Sequence, residues 1–142
     1  MVVANRRIAK GEIVGVYGGM IIPYGMSVRS ESTFGMVVGY KLIPDAGKFR
    51  SDPIFIVGDT VISRINTNFE YDPHGKPVRQ AAGGYNVECV PFDVDAEHAG
   101  SPAGKRTSYR LNTVFATEDI PAGVELRMDY GYTEGMIKTK FS

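Results

Sequence analysis

The chain has 142 residues, with 16 basic against 16 acidic side chains, 43% hydrophobic content and a single cysteine, Cys89. This length suits one domain over residues 1–142, which can bury a core without a disulfide or a metal. Zero net charge argues against direct binding of nucleic acid, because that binding depends on a basic surface. One cysteine excludes an internal disulfide and a cysteine-rich zinc site, and it fits a reducing compartment.

The amino-terminal region does not have the pattern of a signal peptide. Arg6, Arg7 and Lys10 lie where such a peptide would have its apolar core. The longest uncharged stretch, Ile13–Val28, has 16 residues and includes four glycines and a proline, whereas a membrane-spanning helix needs about 20 apolar residues. The sequence therefore predicts a soluble protein of the cytoplasm or nucleus without membrane partners, and a secreted effector is the alternative.

In chain order, the apolar runs are short and rich in β-branched residues, with 17 glycines and 8 prolines between them. This pattern predicts a mostly β domain of many short strands. The predicted strands are Ile13–Tyr17, Met20–Ile22, Val37–Ile43, Ile54–Val57, Tyr85–Phe92, Arg110–Ala116 and Val124–Met128. Val61–Ile65 is a further apolar-rich run, and Tyr24–Phe34 suits a turn or one short helix. The predicted loops are Pro44–Pro53, Glu70–Gly84 and Asp93–Thr107.

Several kinds of site lack support in the sequence. His74 and His98 each lie alone in a polar loop, so no metal site is predicted. Cys89 lies within a predicted strand, which favours a buried structural thiol over a nucleophile. The acidic stretch Glu88–Glu97 is either an ordinary solvated loop or an acidic rim that attracts a basic peptide.

Three segments, Ile8–Gly19, Asp59–Asn68 and Val114–Tyr132, carry the functional information. Together they resemble the SET domain, the family of S-adenosylmethionine-dependent protein lysine methyltransferases. In that family I-x-K-G-E-x-I…Y-x-G-E precedes R-F-I-N-H-S, and F-A-x-R-D-I-x-x-G-E-E-L-x-x-D-Y closes the domain. The matching residues are Lys10–Glu12 and Tyr17–Gly19 in the first segment, Arg64–Asn66 in the second, and Asp119, Ile120, Gly123, Glu125, Leu126 and Asp129–Gly131 in the third.

The chain departs from the family pattern at several points. The family's Asn-His is Asn66–Thr67 here, and the Ser-Cys that follows is Asn68–Phe69. The family's Pro-Asn has its counterpart in Tyr85–Asn86, displaced by an insertion over Glu70–Gly84. The amino-terminal G-x-G is missing although Val2–Ala4 resembles the strand after it, so we expect a domain truncated at its amino terminus. Cysteine-rich flanking segments are also missing.

The resemblance implies a SET-type β-clip fold, with several small sheets and a threaded carboxyl-terminal segment. It implies methyl transfer from S-adenosylmethionine to a lysine of a protein or peptide, for which a histone tail is one candidate. Tyr130 would be the catalytic tyrosine, and Tyr132 would line the substrate-lysine channel. The cofactor would be held by Asn66, by the backbone of Thr67, and by Arg64 and Tyr17.

Each of these residues also has a plain structural interpretation. Tyr130 and Tyr17 suit core positions, Asn66 suits a turn, and Arg64 could pair with Asp59. A non-catalytic SET-like module that binds peptides is therefore the alternative function, and a purely structural β-clip domain is a third.

The implied chemistry explains why tyrosine, asparagine and backbone groups would be needed. Methyl transfer to an amine is a displacement at carbon, and alignment of the reacting atoms can supply several kcal/mol of the barrier. The amine must be neutral, and a cationic sulfonium beside it favours that form. A tyrosine hydroxyl can then hold the amine, and carbonyl oxygens can contact the electron-poor methyl group.

Overall fold

The computed structural model describes residues 1–22, 35–45, 48–97 and 106–141. The turn or helix predicted at Tyr24–Phe34 and the loop residue His98 lie outside these ranges. The described residues form eight strands, a 3-10 helix at Val61–Arg64 and one α-helix, α1 (Glu134–Lys140). The strands are β1 (Ile13–Val16), β2 (Gly19–Ile22), β3 (Gly35–Asp45), β4 (Lys48–Gly58), β5 (Phe69–Tyr71), β6 (Pro77–Gln80), β7 (Val87–Glu97) and β8 (Arg106–Ala116).

The strands form small sheets with the orders β1-β8-β7, β2-β4-β3 and β5-β6. The pairs β2–β4, β3–β4 and β5–β6 are antiparallel. The prediction of a mostly β protein with several small sheets is therefore confirmed, whereas β3, β4, β7 and β8, with 11 residues each, are longer than the short strands that were predicted.

The predicted loop Pro44–Pro53 is wrong, because β3 continues to Asp45 and β4 begins at Lys48. Both prolines lie in strands, where the missing N–H is tolerated only if it faces away from a partner. Pro44 is on β3, an edge strand of its sheet. Pro53 pairs with Tyr40 on one side, whereas β2 reaches β4 only from Phe55 onwards. Neither proline therefore has to donate to a second neighbour.

Two further loop predictions are wrong. In the predicted loop Asp93–Thr107, residues 93–97 belong to β7 and residues 106–107 to β8, while residues 98–105 lie outside the described ranges. Glu70–Gly84 contains most of the hairpin β5–β6, in which Glu70 faces Arg79 and the two side chains form a 2.6 Å ion pair. In both places backbone pairing forms strands without an alternating apolar pattern.

The run Val124–Met128 was predicted to be a strand but makes only isolated bridges. Glu125 pairs with Val3, Arg127 with Asn66, and Met128 with Val87. The partner changes from residue to residue, so no continuous ladder forms. Val61–Ile65, the apolar-rich run, is mainly the 3-10 helix, in which Ser63 N donates to Thr60 O at 3.2 Å.

The chain divides into two compact units. Unit 1 comprises Met1–Val14, Arg64–Cys89 and Val114–Ser142, and unit 2 comprises Gly15–Ser63 and Val90–Thr113. The single-domain description of residues 1–142 stays a prediction. In unit 2 the ring of Tyr17 is buried, and its backbone N–H donates to Asn112 O at 2.7 Å. A side chain at Gly15 would come within 2.7 Å of Ile62 Cδ1, so the strand passes directly over that buried isoleucine.

Unit 1 has its own apolar core. Its most deeply buried large side chains, each less than 2% exposed, are Ile65, Val87, Val114, Ile120 and Ile137. Burial of each such side chain contributes about 1.5–3 kcal/mol relative to exposure. They come from the second and third stretches of the unit, and Ala4 and Ile8 of the first stretch are buried as well. The core therefore holds together parts of the chain that are far apart in sequence.

The Lys10-Gly11-Glu12 motif makes a turn against the third matching segment. Gly11 has φ of 80°, which favours glycine, and its N–H donates to Ala116 O at 2.8 Å. The Asp119 carboxylate accepts the Lys10 N–H at 2.9 Å and pairs with Arg7 at 2.6 Å. The bond from the Lys10 N–H and then that from Arg7 lower the pKa of Asp119. This motif therefore serves to position the amino-terminal arm.

Asn86 ties together backbone that has no regular strand. It is 8% exposed; its Nδ2 donates to Glu125 O and its Oδ1 accepts the Arg127 N–H, both at 2.9 Å. Its backbone adds a bond from Asn86 N to Arg127 O at 3.1 Å. The segment 125–127 lacks the continuous hydrogen bonds of a β-ladder, and Asn86 supplies bonds to its backbone instead.

We therefore expect Asn86→Ala to lower the free energy of unfolding by about 1–3 kcal/mol, because backbone groups lose their partners. Urea denaturation measures this change. Asn5→Ala, at an exposed asparagine, is the matched control and should stay within about 0.5 kcal/mol of wild type. Equal stability of the Asn86→Ala and Asn5→Ala proteins would contradict this role for Asn86.

Candidate functional site

The segment Asp129–Tyr132 is held by a local turn and by the β5–β6 hairpin. Asp129 Oδ1 accepts the Gly131 N–H at 2.7 Å, and Gly131 has φ of 66°. From β6, Gln80 Nε2 donates to the same Asp129 oxygen, while Gln80 Oε1 accepts the Tyr132 N–H at 2.8 Å. The insertion that was predicted to be a loop therefore holds the backbone of Tyr132 directly and contacts the side chain of Asp129, the residue before Tyr130.

Tyr130 is partly buried, and its hydroxyl donates to the carbonyl oxygen of Ile65. Burial, with a smaller contribution from neighbouring Tyr132, raises the pKa of Tyr130 to about 12. The hydroxyl is therefore neutral at physiological pH. It can position an amine but cannot take a proton from it as a phenolate.

Four aromatic rings pack against one another around Tyr132. This aromatic cluster comprises Phe69, Tyr130, Tyr132 and Phe141. Phe69 and Tyr132 stack at 6.2 Å between centroids with 16° between planes. Tyr130 meets Tyr132 edge to face at 5.4 Å, and Phe141 meets Phe69 in the same way at 5.3 Å. Such pairs add about 0.5–1.5 kcal/mol each beyond the burial of their area. Packing in the cluster therefore restricts the position of the Tyr132 ring, the candidate wall of the lysine channel.

Asn66 is exposed and adjoins the residue that accepts the Tyr130 hydroxyl. Its Nδ2 donates to Glu125 Oε1 at 2.9 Å, and its backbone carbonyl accepts the Met128 N–H at 2.8 Å. Hydrogen bonds from Asn66 and then Arg127 lower the pKa of Glu125. The structure thus brings Asn66 and Tyr130, predicted separately from two motifs, to the same part of unit 1.

Thr67, whose predicted backbone contact with the cofactor stays a prediction, also has an unusual side chain. Its Oγ1 is buried, and no residue within the described ranges is a hydrogen-bond partner for it. A buried hydroxyl without a partner carries a cost of about 1–3 kcal/mol, so such an atom calls for an explanation. A bound ligand or water at this position would remove that cost.

Arg127 connects Glu125, the partner of Asn66, to Asn68, which precedes the β5–β6 hairpin. Its guanidinium pairs with Glu125 at 2.8 Å and donates to Asn68 Oδ1. Asn68 in turn donates to the carbonyls of Gly83 and Gly84 at 3.2 and 3.1 Å. These contacts anchor the loop that follows β6 beside the candidate site.

The remaining predicted cofactor residues have different surroundings. Arg64 is the exposed last residue of the 3-10 helix and belongs to unit 1. Tyr17 is 6% exposed within unit 2, where a side chain at Gly58 would come within 2.9 Å of Tyr17 Cε1. The buried ring of Tyr17 fits the core interpretation that sequence analysis kept open. Its predicted cofactor contact stays a prediction, as does that of Arg64.

A cleft of about 380 Å³ lies in unit 1 beside the residues that precede Tyr130. Its lining residues are Tyr85, Val87, Glu88, Cys89, Thr117, Met128 and Asp129. Glu88 and Asp129 give it two carboxylates, which suit a basic ligand. Burial and then the nearby Glu88 raise the pKa of the Cys89 thiol, which keeps it neutral and poorly nucleophilic.

Sequence analysis missed several residues of this region. Phe69 was noted only as a departure from the family motif, while Gln80, Lys140 and Phe141 were not singled out. Phe69 carried a weak signal, since an aromatic residue directly after the Asn66 motif is suited to pack on a tyrosine. Gln80 and Phe141 act through contacts across the fold, which spacing alone does not reveal.

No protein-family model matches this chain, and no curated protein matches it. In the described part of the chain, no helix has the length and apolar character that crossing a membrane requires. The same residues contain no cluster of three or more histidine, cysteine, aspartate or glutamate side chains that could hold a metal ion.

The raised pKa of Tyr130 predicts a particular pH dependence of stability. A tyrosine in the unfolded chain ionises near pH 10 and this one in the folded protein near pH 12. Its stabilising contribution is therefore present below pH 10 and is lost as the pH rises to about 12. We expect Tyr130→Phe to flatten the fall of the urea midpoint over that range. Tyr71→Phe, at a residue that is 60% exposed, is the control, and identical profiles for the two variants would exclude a buried Tyr130 hydroxyl.

Proposed function

We propose that this chain is a SET-type protein lysine methyltransferase, which transfers a methyl group from S-adenosylmethionine to a lysine of a protein. One observation carries the proposal. The Tyr130 hydroxyl donates to Ile65 O, directly beside Asn66, while Asn66 pairs with Arg127. The contacting residues Ile65 and Tyr130 are 65 positions apart in the sequence, so two distant motifs meet beside the residues that the proposed chemistry needs.

The pairing of the carboxyl-terminal segment supports a SET-type β-clip as the fold. Residues 124–126 exchange backbone bonds with Val2 and Ala4, and residues 127 and 128 with Asn66, Asn86 and Val87. The segment therefore lies between the amino-terminal arm and the stretch around Asn66. Such an arrangement is compatible with a threaded carboxyl-terminal segment.

The residues present fit S-adenosylmethionine by the chemistry of their donors and acceptors. Asn66 is exposed, and the adjacent Thr67 Oγ1 is buried without a partner among the residues described. We propose that these two residues hold the polar part of the cofactor. When bound, the cofactor supplies an electrophilic methyl group on a cationic sulfonium.

Tyr130 would position the substrate amine. Its neutral hydroxyl donates its own proton to Ile65 O, so its oxygen can accept a hydrogen bond from the amine. The nitrogen lone pair then remains available for attack on the methyl carbon. Because a neutral phenol is a poor base, the substrate lysine would have to lose its proton before the transfer, and alignment would supply the main rate advantage.

The aromatic cluster would form the wall of the lysine channel. Aromatic faces attract ammonium groups, with about 0.5–1 kcal/mol at exposed sites. The carboxylates Glu88 and Asp129 in the cleft would attract the basic peptide around that lysine. A histone tail has this chemistry.

A non-catalytic module that binds lysine-containing peptides is the second candidate. The observation that favours it is the contact of an ammonium group, that of Lys140, with the Tyr132 hydroxyl at 2.9 Å. The cluster can therefore hold a lysine without any cofactor. Binding of S-adenosylmethionine distinguishes the two candidates.

A thermal-shift titration with S-adenosylmethionine tests the cofactor site. At about 100 times the dissociation constant the ligand should add roughly 2.7 kcal/mol of stability. Asn66→Ala should abolish this shift while the protein remains folded, and Asn5→Ala should preserve it. No shift in the wild-type protein would favour the binding module, and an unchanged shift in Asn66→Ala would move the cofactor away from Asn66.

Transfer of a labelled methyl group to histone-tail peptides tests the role of Tyr130. Tyr130→Phe removes only the hydroxyl, so turnover should fall at least about tenfold while cofactor affinity stays constant, because an interaction specific to the transition state is lost. Tyr132→Phe should change the ratio of mono-, di- and trimethylated products more than the rate. Tyr71→Phe serves as the control for loss of a phenol, and wild-type methylation by Tyr130→Phe would refute the proposed mechanism.

A further inference from the structure

Lys140, the last residue of α1, contacts the aromatic cluster of its own chain. Its Nζ donates to Tyr132 Oη at 2.9 Å and lies 5.2 Å from the centroid of that ring. The two distances place the ammonium near the hydroxyl end of Tyr132, within the roughly 6 Å range of a cation–π interaction. The contact therefore combines a charge-assisted hydrogen bond with attraction to the ring.

The position of Lys140 is set by anchors on either side of it. Ile137, three residues earlier, is fully buried. Phe141, the next residue, packs edge to face on Phe69 and donates its backbone N–H to Ile137 O at 3.0 Å. At the other end Thr133 caps the helix by accepting the Met136 N–H at 3.3 Å. The helix thus presents Lys140 to Tyr132 by its own packing.

The Lys140 side chain is exposed to solvent, and its described contacts are with Tyr132. Within the ranges that the structure describes, no carboxylate forms an ion pair with it. Among the residues described, Tyr132 is the group that this ammonium contacts. Because the contact is open to solvent, a competing cation can displace it.

We propose that Lys140 is an intramolecular occupant of the aromatic cluster, and that a substrate lysine must displace its ammonium from Tyr132 to enter. This inference rests on the proposed use of Tyr132 as the channel wall, and it adds a means of regulating that site. Lys140 occupies the site in the absence of substrate. The apparent affinity for a substrate lysine is then the affinity of the open site multiplied by the fraction of molecules in which the site is open.

The size of the effect follows from the strength of the contact. The strength of a cation–π contact at an exposed site means that Lys140 closes the site in most molecules. Removal of this contact leaves every site open and should therefore strengthen binding of an external ammonium roughly three- to sixfold. The attraction that closes the site comes from the ammonium group of Lys140. The charge of Lys140 is therefore the property to change.

Titration of the full chain with n-butylammonium, followed by the NMR resonances of the Tyr132 ring, tests the proposal. Lys140→Met keeps a long side chain without the charge and should lower the dissociation constant roughly three- to sixfold. Lys138→Met, at an exposed lysine on the same helix, is the matched control and should bind as wild type. Lys140→Arg keeps a cation there and should also bind n-butylammonium as wild type.

The outcomes separate this inference from the proposed function. Equal n-butylammonium affinity of wild type and Lys140→Met, with the Tyr132 resonances shifting in both, would overturn the competition and leave the channel intact. An absence of any Tyr132 shift in both proteins would overturn the channel itself. In the methyl-transfer assay, Lys140→Met should lower KM for the peptide with kcat unchanged, because only ground-state access improves.

Discussion

Backbone hydrogen bonds of the segment 120–128 hold unit 1 together. On one side this segment pairs with the amino-terminal arm, where Ile8 and Ile120 exchange bonds of 2.9 and 2.8 Å. On the other side Met128 N donates to Asn66 O, and Val87 N donates to Arg127 O. Asn66 and Thr67 lie on a stretch that this segment pairs with, and Tyr130 and Tyr132 follow directly after the segment. The position of Tyr130 relative to Asn66 therefore depends on these few backbone bonds and on the buried side chain of Asn86.

The class of the fold could be predicted from the sequence, but the extent of the strands could not. The apolar runs around Ile13–Val16 and Gly19–Ile22 located short strands correctly. Polar residues and prolines misled the prediction at Pro44, Pro53 and after Phe92. Pro44 and the residues after Phe92 lie on the edge strands β3 and β7, and Pro53 lies where the central strand β4 pairs with β3 alone. Backbone pairing on one side holds a strand at these places and tolerates such residues. At Val124–Met128 the apolar pattern predicted a strand. Leu126 and Met128 are indeed buried, but the backbone pairs with a different stretch of chain at successive residues and forms no continuous strand.

The sequence also predicted part of the candidate site. Tyr130 and Asn66 were singled out from two separate motifs, and both lie in the same part of unit 1, linked through Ile65. Gln80 could not be found in this way, since its importance comes from two hydrogen bonds to a segment about 50 residues away. The Lys140 contact is equally invisible to motif analysis, because it depends on the end of a short helix whose orientation Ile137 and Phe141 determine.

The long sequence separations in unit 1 have a consequence for how the protein reaches its native state. Val3 pairs with Glu125 and Asn66 with Arg127, so large loops must close before these contacts can form. Loop closure costs entropy that is recovered only when the distant partners meet, and such topologies fold slowly. During synthesis, the amino-terminal arm and the stretch around Asn66 must wait for residues 120–128 to emerge. Their apolar faces are open to chaperones, or to misassembly with other nascent chains, until the last part of the unit arrives.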